Sequence, residues 1–243
     1  QATARLATVG EMASLLSHEL NQPLAAISSY ATGTLNLLPD DAPPAELQQH
    51  LPDVRMAVQR MAYQAERAGK VIKSVHDFVR RRGQTLELVA PQELLDAVLP
   101  LVRLQARKLQ VQVMTVVAPD VLAVYCDRTM VEQVLLNLSR NGMQAMDYAS
   151  CESRLLRIDV RMASNQGSRA WVEFVVADWG QGISEAVAQQ LYTPFFTTKD
   201  EGMGLGLSLC RTVIEQHGSH LVHQNNSPQG TIFSFTLPTW RND

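Results

Sequence analysis

Apolar residues recur at helical spacing through the first third of the chain, on both sides of a turn-rich stretch. In the first stretch they stand three or four positions apart, at Leu6, Val9, Ala13, Leu16, Leu20, Leu24, Ile27, Ala31 and Leu35. Aspartate and proline residues then dominate residues 38–44, where they end one helix and start another. The pattern predicts a long helix over residues 1–38, followed by a short turn.

A heptad repeat predicts a second helix from residue 46 to about residue 82. One seam position holds Val54, Met61, Ala68 and Val75, and the other holds Ala57, Gln64, Val71 and Phe78. Two helices joined by a short loop form an antiparallel hairpin, which leaves part of the apolar face uncovered. We therefore expect a homodimer in which two hairpins pair as a four-helix bundle.

The composition of the 243-residue chain is that of a soluble globular protein with room for two modest domains. Its net charge of -3 argues against nucleic acid as the main partner. The widely spaced cysteines form no Cys-x-x-Cys pair, which favours a reducing, cytoplasmic setting over disulfides or zinc. No apolar run reaches the roughly 18 residues of a membrane span, so we expect no membrane contact by this fragment. Because the chain begins at Gln1, we expect it to be part of a longer protein.

After Gly83 the pattern changes to a mixture of strands and helices. We predict helices at about 92–107, 127–146 and 205–217, and strands at about 85–89, 110–117, 121–126, 155–163, 170–177, 219–224 and 230–237. Asp127 and Gly218 are placed to cap the second and third of these helices. The chain is therefore predicted to form a helical domain over residues 1–83 and an α/β sandwich over residues 84–243.

A polar segment, residues 17–23, interrupts the apolar pattern of the first helix. His18 and Glu19 lie about 100° apart around a helix, so they are close together but point in different directions. Pro23 has no N–H for the carbonyl of Glu19, which weakens the helix beside the imidazole. His18 is therefore a candidate nucleophile, and an ordinary core or surface histidine is the alternative.

Polar residues at two places in the second domain indicate nucleotide chemistry. Gln133, Asn137 and Asn141 form a row on one helix, where amide oxygens can hold a hard cation such as Mg²⁺ with ATP phosphates. An exposed polar face is the alternative. Asp178 ends an apolar strand and needs a donor such as the amino group of adenine. A tight turn with a solvated carboxylate is the alternative there.

Glycines at positions 202, 204 and 206 lead into the last predicted helix. The free N–H groups and the dipole of a helix N-terminus favour an anion. The glycine spacing matches neither the P-loop nor the dinucleotide-binding motif. Lys199 lies just upstream, on a predicted mobile lid, and is within reach of a phosphate.

These segments, in this order, resemble the catalytic core of two-component sensor histidine kinases over nearly the whole chain. Residues 17–24 resemble the H box of the subgroup that includes oxygen- and dicarboxylate-sensing kinases. The other family motifs are matched by residues 137–141 (N box), 178–182 (first glycine box), 193–199 (F box), 202–206 (second glycine box) and 230–233 (closing strand). The resemblance implies a dimerisation and phosphotransfer hairpin followed by an ATP-binding sandwich of the GHKL type, shared with Hsp90, gyrase and MutL.

The resemblance also implies roles for individual residues. His18 would accept the γ-phosphoryl group of ATP, while Glu19 orients the imidazole and takes its proton. Asn141 would hold Mg²⁺, Asn137 would support the phosphates, and Asp178 would bind the adenine amino group. The other nucleotide contacts would come from Gly180, Gly182, Lys199, Gly202, Gly204, Leu205, Gly206, Leu207 and Thr231. The phosphoryl group would then pass to an aspartate in the receiver domain of a response regulator.

Four positions depart from the family pattern. One of them, Trp179, replaces a commoner small or polar residue, and nothing in the sequence explains it. Gly142 replaces an alanine, which is expected to loosen its helix by roughly 0.5–1 kcal/mol. Gln144 replaces a lysine that binds phosphate in some relatives. Gln22 stands where many relatives use threonine or asparagine to direct water against the phosphorylated regulator, which leaves phosphatase activity open. The alternatives to an active kinase are a catalytically silent dimeric scaffold and a GHKL-type ATPase without phosphotransfer.

Overall fold

The computed structural model describes residues 2–39, 43–79, 85–148, 150–151, 153–163, 170–199 and 204–240. The chain divides into two compact units, residues 1–82 and 83–243. Among the helices that the structure describes, none is long and apolar enough to span a membrane.

The first unit consists of two long helices, α1 (Ala2–Leu37) and α2 (Pro44–Val79), which pack against each other. The predicted helical hairpin is therefore confirmed. α1 continues through Pro23, so the missing N–H of this residue does not end the helix. Among the seam residues of α2 whose side chains the structure describes, Ala68 is buried, and Val54, Ala57 and Met61 are half-buried.

The second unit combines four helices and seven strands among its described residues. In chain order these are β1 (Leu86–Val89), α3 (Pro91–Leu109), β2 (Gln112–Val117), β3 (Val124–Asp127), α4 (Arg128–Ala145), β4 (Leu155–Met162), β5 (Trp171–Asp178), α5 (Glu185–Ala188), α6 (Gly206–Gln216), β6 (Val222–Asn225) and β7 (Thr231–Pro238). A five-stranded sheet has the order β2-β4-β5-β7-β6, and β1 pairs separately with β3. Only β2 and β4 run parallel among these pairs.

The core of the second unit lies between the five-stranded sheet and helices α3, α4 and α6. Alternate residues of β5 and β7 are buried because successive side chains of a strand point to opposite faces. Phe174 and Phe235 stack at the centre of this layer, with ring centroids 5.2 Å apart. The predicted α/β fold is confirmed.

The ends of several elements follow from their capping contacts. The Asp127 side chain accepts a hydrogen bond from the Met130 N–H at 3.1 Å, and Gly218 has a φ of 79° directly after α6, so both predicted caps are confirmed. β6 begins at Val222 rather than at residue 219, because the Ser219 N–H still closes the helix end on the Ile214 carbonyl. β3 begins at residue 124 rather than 121, because a turn bonds residue 121 to residue 118.

Candidate active site

Asp178 ends β5, and its carboxylate lies inside the second unit, with only 4% of the residue exposed. Its Oδ1 accepts hydrogen bonds from the Gly180 N–H at 2.9 Å and from the Thr231 N–H at 3.2 Å. Burial raises the pKa of Asp178 to about 6, although both N–H groups and the positive charge of Lys199 act against the rise. No donor to Oδ2 is found among the described residues, so this oxygen is available to a ligand.

Close packing around Asp178 explains two of the glycines. A Cβ on Gly180 would lie 2.6 Å from the Ala145 carbonyl oxygen, at the end of α4. A Cβ on Gly142 would lie 2.9 Å from Leu156 Cδ1 and 3.2 Å from Asp178 Cβ. From the sequence, Gly142 was expected to loosen its helix. In the structure, its lack of a side chain lets α4 approach Asp178 closely. The close approach is the structural reason for a residue of low helix propensity.

Two residues of the amide row of α4, Asn137 and Asn141, lie near the chain segments that were predicted to bind phosphate. Lys199 Nζ donates to Gln144 Oε1 at 2.7 Å and to Asn141 Oδ1 at 3.4 Å. Asn137 Oδ1 lies 3.7 Å from the position that a Cβ on Gly206 would occupy. The structure therefore brings Asn137, Asn141, Lys199 and the start of α6 together along one side of α4.

Lys199 is an exposed residue, but its ammonium group is partly shielded from water by its neighbours. Burial and the neighbouring Arg140 lower the pKa of Lys199, and the carboxylate of Asp178 acts in the opposite direction. The contact with Gln144 was not foreseen from the sequence, where Gln144 was noted only as a replacement for lysine. In effect, the amide at position 144 accepts a hydrogen bond from the lysine at position 199.

The glycine segment before α6 is held by backbone contacts. Gly204 has a φ of 64°, and a Cβ there would lie 2.3 Å from the Phe195 carbonyl carbon. The Phe195 N–H donates to the Gly204 carbonyl at 3.0 Å. Leu205 is buried and precedes the first helical residue, Gly206. Gly202 lies outside the described residues, so its predicted contact with phosphate stays a prediction.

Gly182 and Thr231 complete the second set of predicted residues. Gly182 has a φ of 76° and faces Gly230 across the site, with 3.4 Å between its ideal Cβ position and the Gly230 carbonyl oxygen. Thr231 is 3% exposed and gives its N–H to Asp178. The first glycine box and the closing strand therefore meet at Asp178.

The described donor set fits a magnesium nucleotide. The amide oxygens of Asn141 and Gln144 already receive a cationic ammonium group, so their position suits a positive charge. Amide oxygens are ordinary ligands for Mg²⁺ when phosphates and water complete its coordination. The free Oδ2 of Asp178 can accept a hydrogen bond from an amino group. Residues 137–144, 178–182 and 231 thus offer complementary groups to both ends of ATP.

The remaining predicted residues belong to the first unit. His18 and Glu19 lie within α1, and their side chains are outside the described part of the structure. Gln22 lies one helical turn after His18 on the same helix and is exposed. The helix geometry therefore puts His18 and Gln22 on neighbouring turns of one face.

A separate cleft of about 210 Å³ lies between α3 and α4. It is lined by Leu101, Val102, Gln105, Gln133, Leu136, Asn137, Arg140 and Met143. Gln133, the first member of the predicted amide row, faces this cleft. Asn137, the second member of the row, also lines it, whereas Asn141 does not.

Asn226, in the turn between β6 and β7, also contacts Asp178 and was not among the residues predicted from the sequence. Its side-chain amide donates to the Asp178 carbonyl at 2.8 Å. The turn was visible as Asn-Ser-Pro-Gln-Gly between two predicted strands. However, the side chain of an asparagine in a turn usually bonds to the backbone nearby. The neighbouring sequence therefore did not indicate a contact with Asp178.

Both halves of the chain match known sequence families. Residues 8–84 match the His Kinase A (phospho-acceptor) domain. Residues 126–241 match the histidine kinase-, DNA gyrase B- and HSP90-like ATPase family. The two matches occur in the order that the sequence motifs indicated, and the second one implies ATP binding.

The curated relatives are bacterial sensor proteins. The C4-dicarboxylate transport sensor protein DctS of Rhodobacter capsulatus is 43% identical over 97% of this chain and 34% of its own length. The sensor protein FixL of Bradyrhizobium diazoefficiens is 40% identical over 97% of this chain and 44% of its own length. The chain therefore spans less than half the length of either relative.

Solved histidine kinase structures share the fold. The catalytic domain of the histidine kinase ThkA covers 63% of this chain and 95% of its own chain, with 29% identity and a TM-score of 0.52. ThkA in complex with the response regulator protein TrrA covers 99% of this chain and 64% of that chain, with 24% identity and a TM-score of 0.69. The second of these similarities extends over both units.

Proposed function

The chain belongs to the two-component sensor histidine kinases, and from that premise we propose that it is a catalytic core that phosphorylates its own His18 with ATP. The observation that carries the proposal is the meeting of Asp178, Thr231, Asn141 and Lys199 in one described region of the second unit, in a chain whose first unit is a helical hairpin that bears His18. The fold alone does not specify a reaction, because the same nucleotide fold serves several functions. The pairing of this site with a phospho-acceptor hairpin favours phosphotransfer.

Asp178 selects the base in this proposal. Its free Oδ2 accepts a hydrogen bond from the adenine amino group, while its Oδ1 stays bound to Gly180 and Thr231. Gly182 has no side chain, so the adenine ring can approach the backbone closely at this position. A hydrogen bond to a charged acceptor contributes about 1.5–3 kcal/mol, which is enough to select for adenine.

The phosphates are held at the other end of the site. Asn137, Lys199 and the N–H groups of residues 204–207 bind them, together with Gly202. Asn141 would hold Mg²⁺, which would neutralise charge on the phosphates and fix their orientation. Lys199, whose Nζ donates to the amide oxygens of Asn141 and Gln144, is placed to pair with a phosphate on the same side of α4. Positioning and charge neutralisation supply most of the catalysis in phosphoryl transfer.

The chemical step is carried out by His18 and Glu19. A neutral ring nitrogen of His18 attacks the γ-phosphorus, the bond from that phosphorus to the bridging oxygen breaks, and ADP leaves. The ring then carries a proton on its other nitrogen, and Glu19 accepts it. An ordinary histidine is mostly neutral at cellular pH, so little adjustment of its pKa is required.

The proposal includes two partners. Two copies of the chain pair through their hairpins, which covers the apolar residues that a single hairpin leaves exposed, among them Leu24, Leu35 and Met56. The phosphoryl group then moves to an aspartate in the receiver domain of a response regulator, as suggested by the ThkA–TrrA complex. ATP and a receiver substrate imply that these two units work in the cytoplasm. Gln22 is the candidate to direct a water molecule against the phosphorylated aspartate of the regulator, which would release inorganic phosphate.

The test is incubation of the chain with Mg²⁺ and ATP radiolabelled in the γ-phosphate. We expect label on the protein that is labile in acid and stable in base, because it is held as a phosphoramidate. His18→Gln should abolish the label, and His50→Gln, on the other helix of the hairpin, should retain it. Addition of a cognate receiver domain should remove label from the kinase.

Three outcomes would contradict the proposal in different ways. Label that persists in His18→Gln would show that another residue is the nucleophile. Hydrolysis of ATP without any labelled protein would favour an ATPase of the same fold. Absence of nucleotide binding would favour a silent signalling scaffold.

A further inference from the structure

The turn between β6 and β7 is bound to the residue that ends β5. Asn226 Nδ2 donates to the Asp178 carbonyl at 2.8 Å, and the Asn226 N–H donates to the Gly230 carbonyl at 2.9 Å. The Asn226 Oδ1 accepts from the Ser227 N–H at 2.9 Å. One asparagine therefore closes its own turn and reaches a neighbouring strand with the same amide.

The contact lies just beyond the end of a strand pairing. The register of β5 with β7 ends with Ala177 opposite Ile232. Asp178 is the next residue, and Asn226 supplies a partner to its carbonyl. Gly230 makes the close approach feasible, because it has a φ of 122° and a Cβ there would lie 2.1 Å from the Asp178 carbonyl oxygen. No other residue type fits this position without moving the turn.

Asp178 is consequently held at two points by one hairpin. Asn226 holds its main-chain carbonyl, and the Thr231 N–H, directly after Gly230, holds Oδ1 of its carboxylate. The distance between these two points is set by the turn. A change in the turn therefore changes the direction in which Oδ2, the free oxygen, points.

We propose that Asn226 is a positioning residue for base selection, which acts through Asp178 to aim Oδ2 at the exocyclic amino group of adenine. The inference rests on the proposed function, because it assigns Oδ2 to that amino group. Asn226 itself does not touch the nucleotide. Its effect is on the selectivity between purines that carry the amino group and purines that lack it.

Both groups of the Asn226 side-chain amide make a hydrogen bond: the N–H2 group donates to Asp178, and the oxygen accepts from Ser227. Asn226→Asp keeps an oxygen for the Ser227 N–H but sets a carboxylate oxygen against the Asp178 carbonyl, where the donor was. Asn225→Asp is the matched control, since it makes the same chemical change one residue earlier, at an exposed position of β6. Asn226→Ala removes the donor without adding charge and serves as the second variant if the aspartate variant folds poorly.

The experiment compares the binding of ATP and of purine riboside triphosphate, which lacks the amino group, to the whole chain by calorimetry with Mg²⁺ present. The wild-type chain should bind ATP about 10–100-fold more tightly, as expected for a hydrogen bond to a charged acceptor. In Asn226→Asp and Asn226→Ala this ratio should fall below about 3, because the analogue keeps its affinity and ATP loses affinity. Asn225→Asp should retain the wild-type ratio.

Three results would overturn the inference. If the Asn226 variants bind both nucleotides more weakly by the same factor, the residue has only a structural role. If the wild-type chain does not distinguish the two nucleotides, the assignment of Asp178 in the proposed function is also wrong. A wild-type preference that survives in the Asn226 variants would contradict the role of Asn226 alone.

Discussion

Replacing Asp178 with asparagine should weaken nucleotide binding and at the same time stabilise the second unit. The carboxylate of Asp178 is buried, which raises its pKa from an ordinary value of 3.8 to about 6. At 1.36 kcal/mol per pH unit, the burial of the charged form costs roughly 3 kcal/mol at neutral pH. Asparagine has no charge to bury, and its oxygen can still accept from Gly180 and Thr231. We therefore expect Asp178→Asn to gain about 1–3 kcal/mol of stability above pH 6.

The sign of the pH dependence follows from the raised pKa. The stability that protonated Asp178 gives the wild-type chain is fully present below pH 3.8 and is lost as the pH rises through about 6. The advantage of the asparagine variant should therefore be greatest above pH 6 and should disappear as the pH falls toward 3.8. In thermal unfolding at pH 7.5, a gain of 1–3 kcal/mol corresponds to a Tm increase of about 3–9 °C.

Binding should change in the opposite direction. The asparagine places an N–H2 group where Oδ2 accepted the adenine amino group, so two donors face each other. The loss of a hydrogen bond to a charged acceptor should raise the Kd for ATP about 10–100-fold. The two measurements are thermal unfolding across the pH range and calorimetric titration with ATP. A variant that is less stable than the wild-type chain at pH 7.5, or that binds ATP normally, would refute the reasoning.

Three further substitutions test other parts of the site. Lys199→Met should weaken ATP binding about tenfold but adenosine binding less than twofold, because the lost charge faces phosphate. Equal losses of affinity for ATP and adenosine, measured by calorimetry, would contradict this. Gly204→Ala should lower the Tm by several degrees, because its Cβ would lie 2.3 Å from the Phe195 carbonyl carbon. Gly206→Ala is the control and should not lower the Tm, because its Cβ would lie 3.7 Å from the nearest neighbouring atom. Ser139→Ala should raise the unfolding free energy by about 1 kcal/mol, because the buried hydroxyl has no hydrogen-bond partner in the described structure. A lower unfolding free energy in a denaturant titration would show that the hydroxyl does have a partner.

The elements of the fold could be predicted from the sequence because their signals are local. The 3.6-residue repeat marked both long helices, and Asp127 and Gly218 marked the ends of two helices in the second unit. The boundary errors at β3 and β6 arose where a turn or a helix cap extends into an apolar segment. Such extensions depend on hydrogen bonds that the alternating pattern does not reveal.

The contacts within the site could not be predicted in the same way, because they join distant parts of the chain. Asn226 and Thr231 reach Asp178 across 48 and 53 residues, and Lys199 reaches Gln144 across 55 residues. Family motifs predicted that Thr231 and Lys199 belong to one site, but not which atoms they contact. Asn226 lies outside those motifs.

Gly142 illustrates the limit of local reasoning. Its low helix propensity indicated a weakness, and only the packed structure gives the reason for it, the close approach of α4 to Asp178 and Leu156. A propensity scale measures the residue in isolation, whereas the close packing of a protein interior decides what the position can hold.

The central claim is that the two amides of α4, the carboxylate of Asp178 and the start of α6 form one nucleotide site. A crystal structure of the chain with Mn²⁺ and a non-hydrolysable ATP analogue tests it most directly, because anomalous scattering locates the metal independently of the nucleotide. We predict Mn²⁺ next to Asn141 Oδ1, the adenine amino group within hydrogen-bond distance of Asp178 Oδ2, and Lys199 moved from Gln144 to a phosphate. A nucleotide bound in the cleft between α3 and α4, or a metal remote from Asn141, would contradict the account.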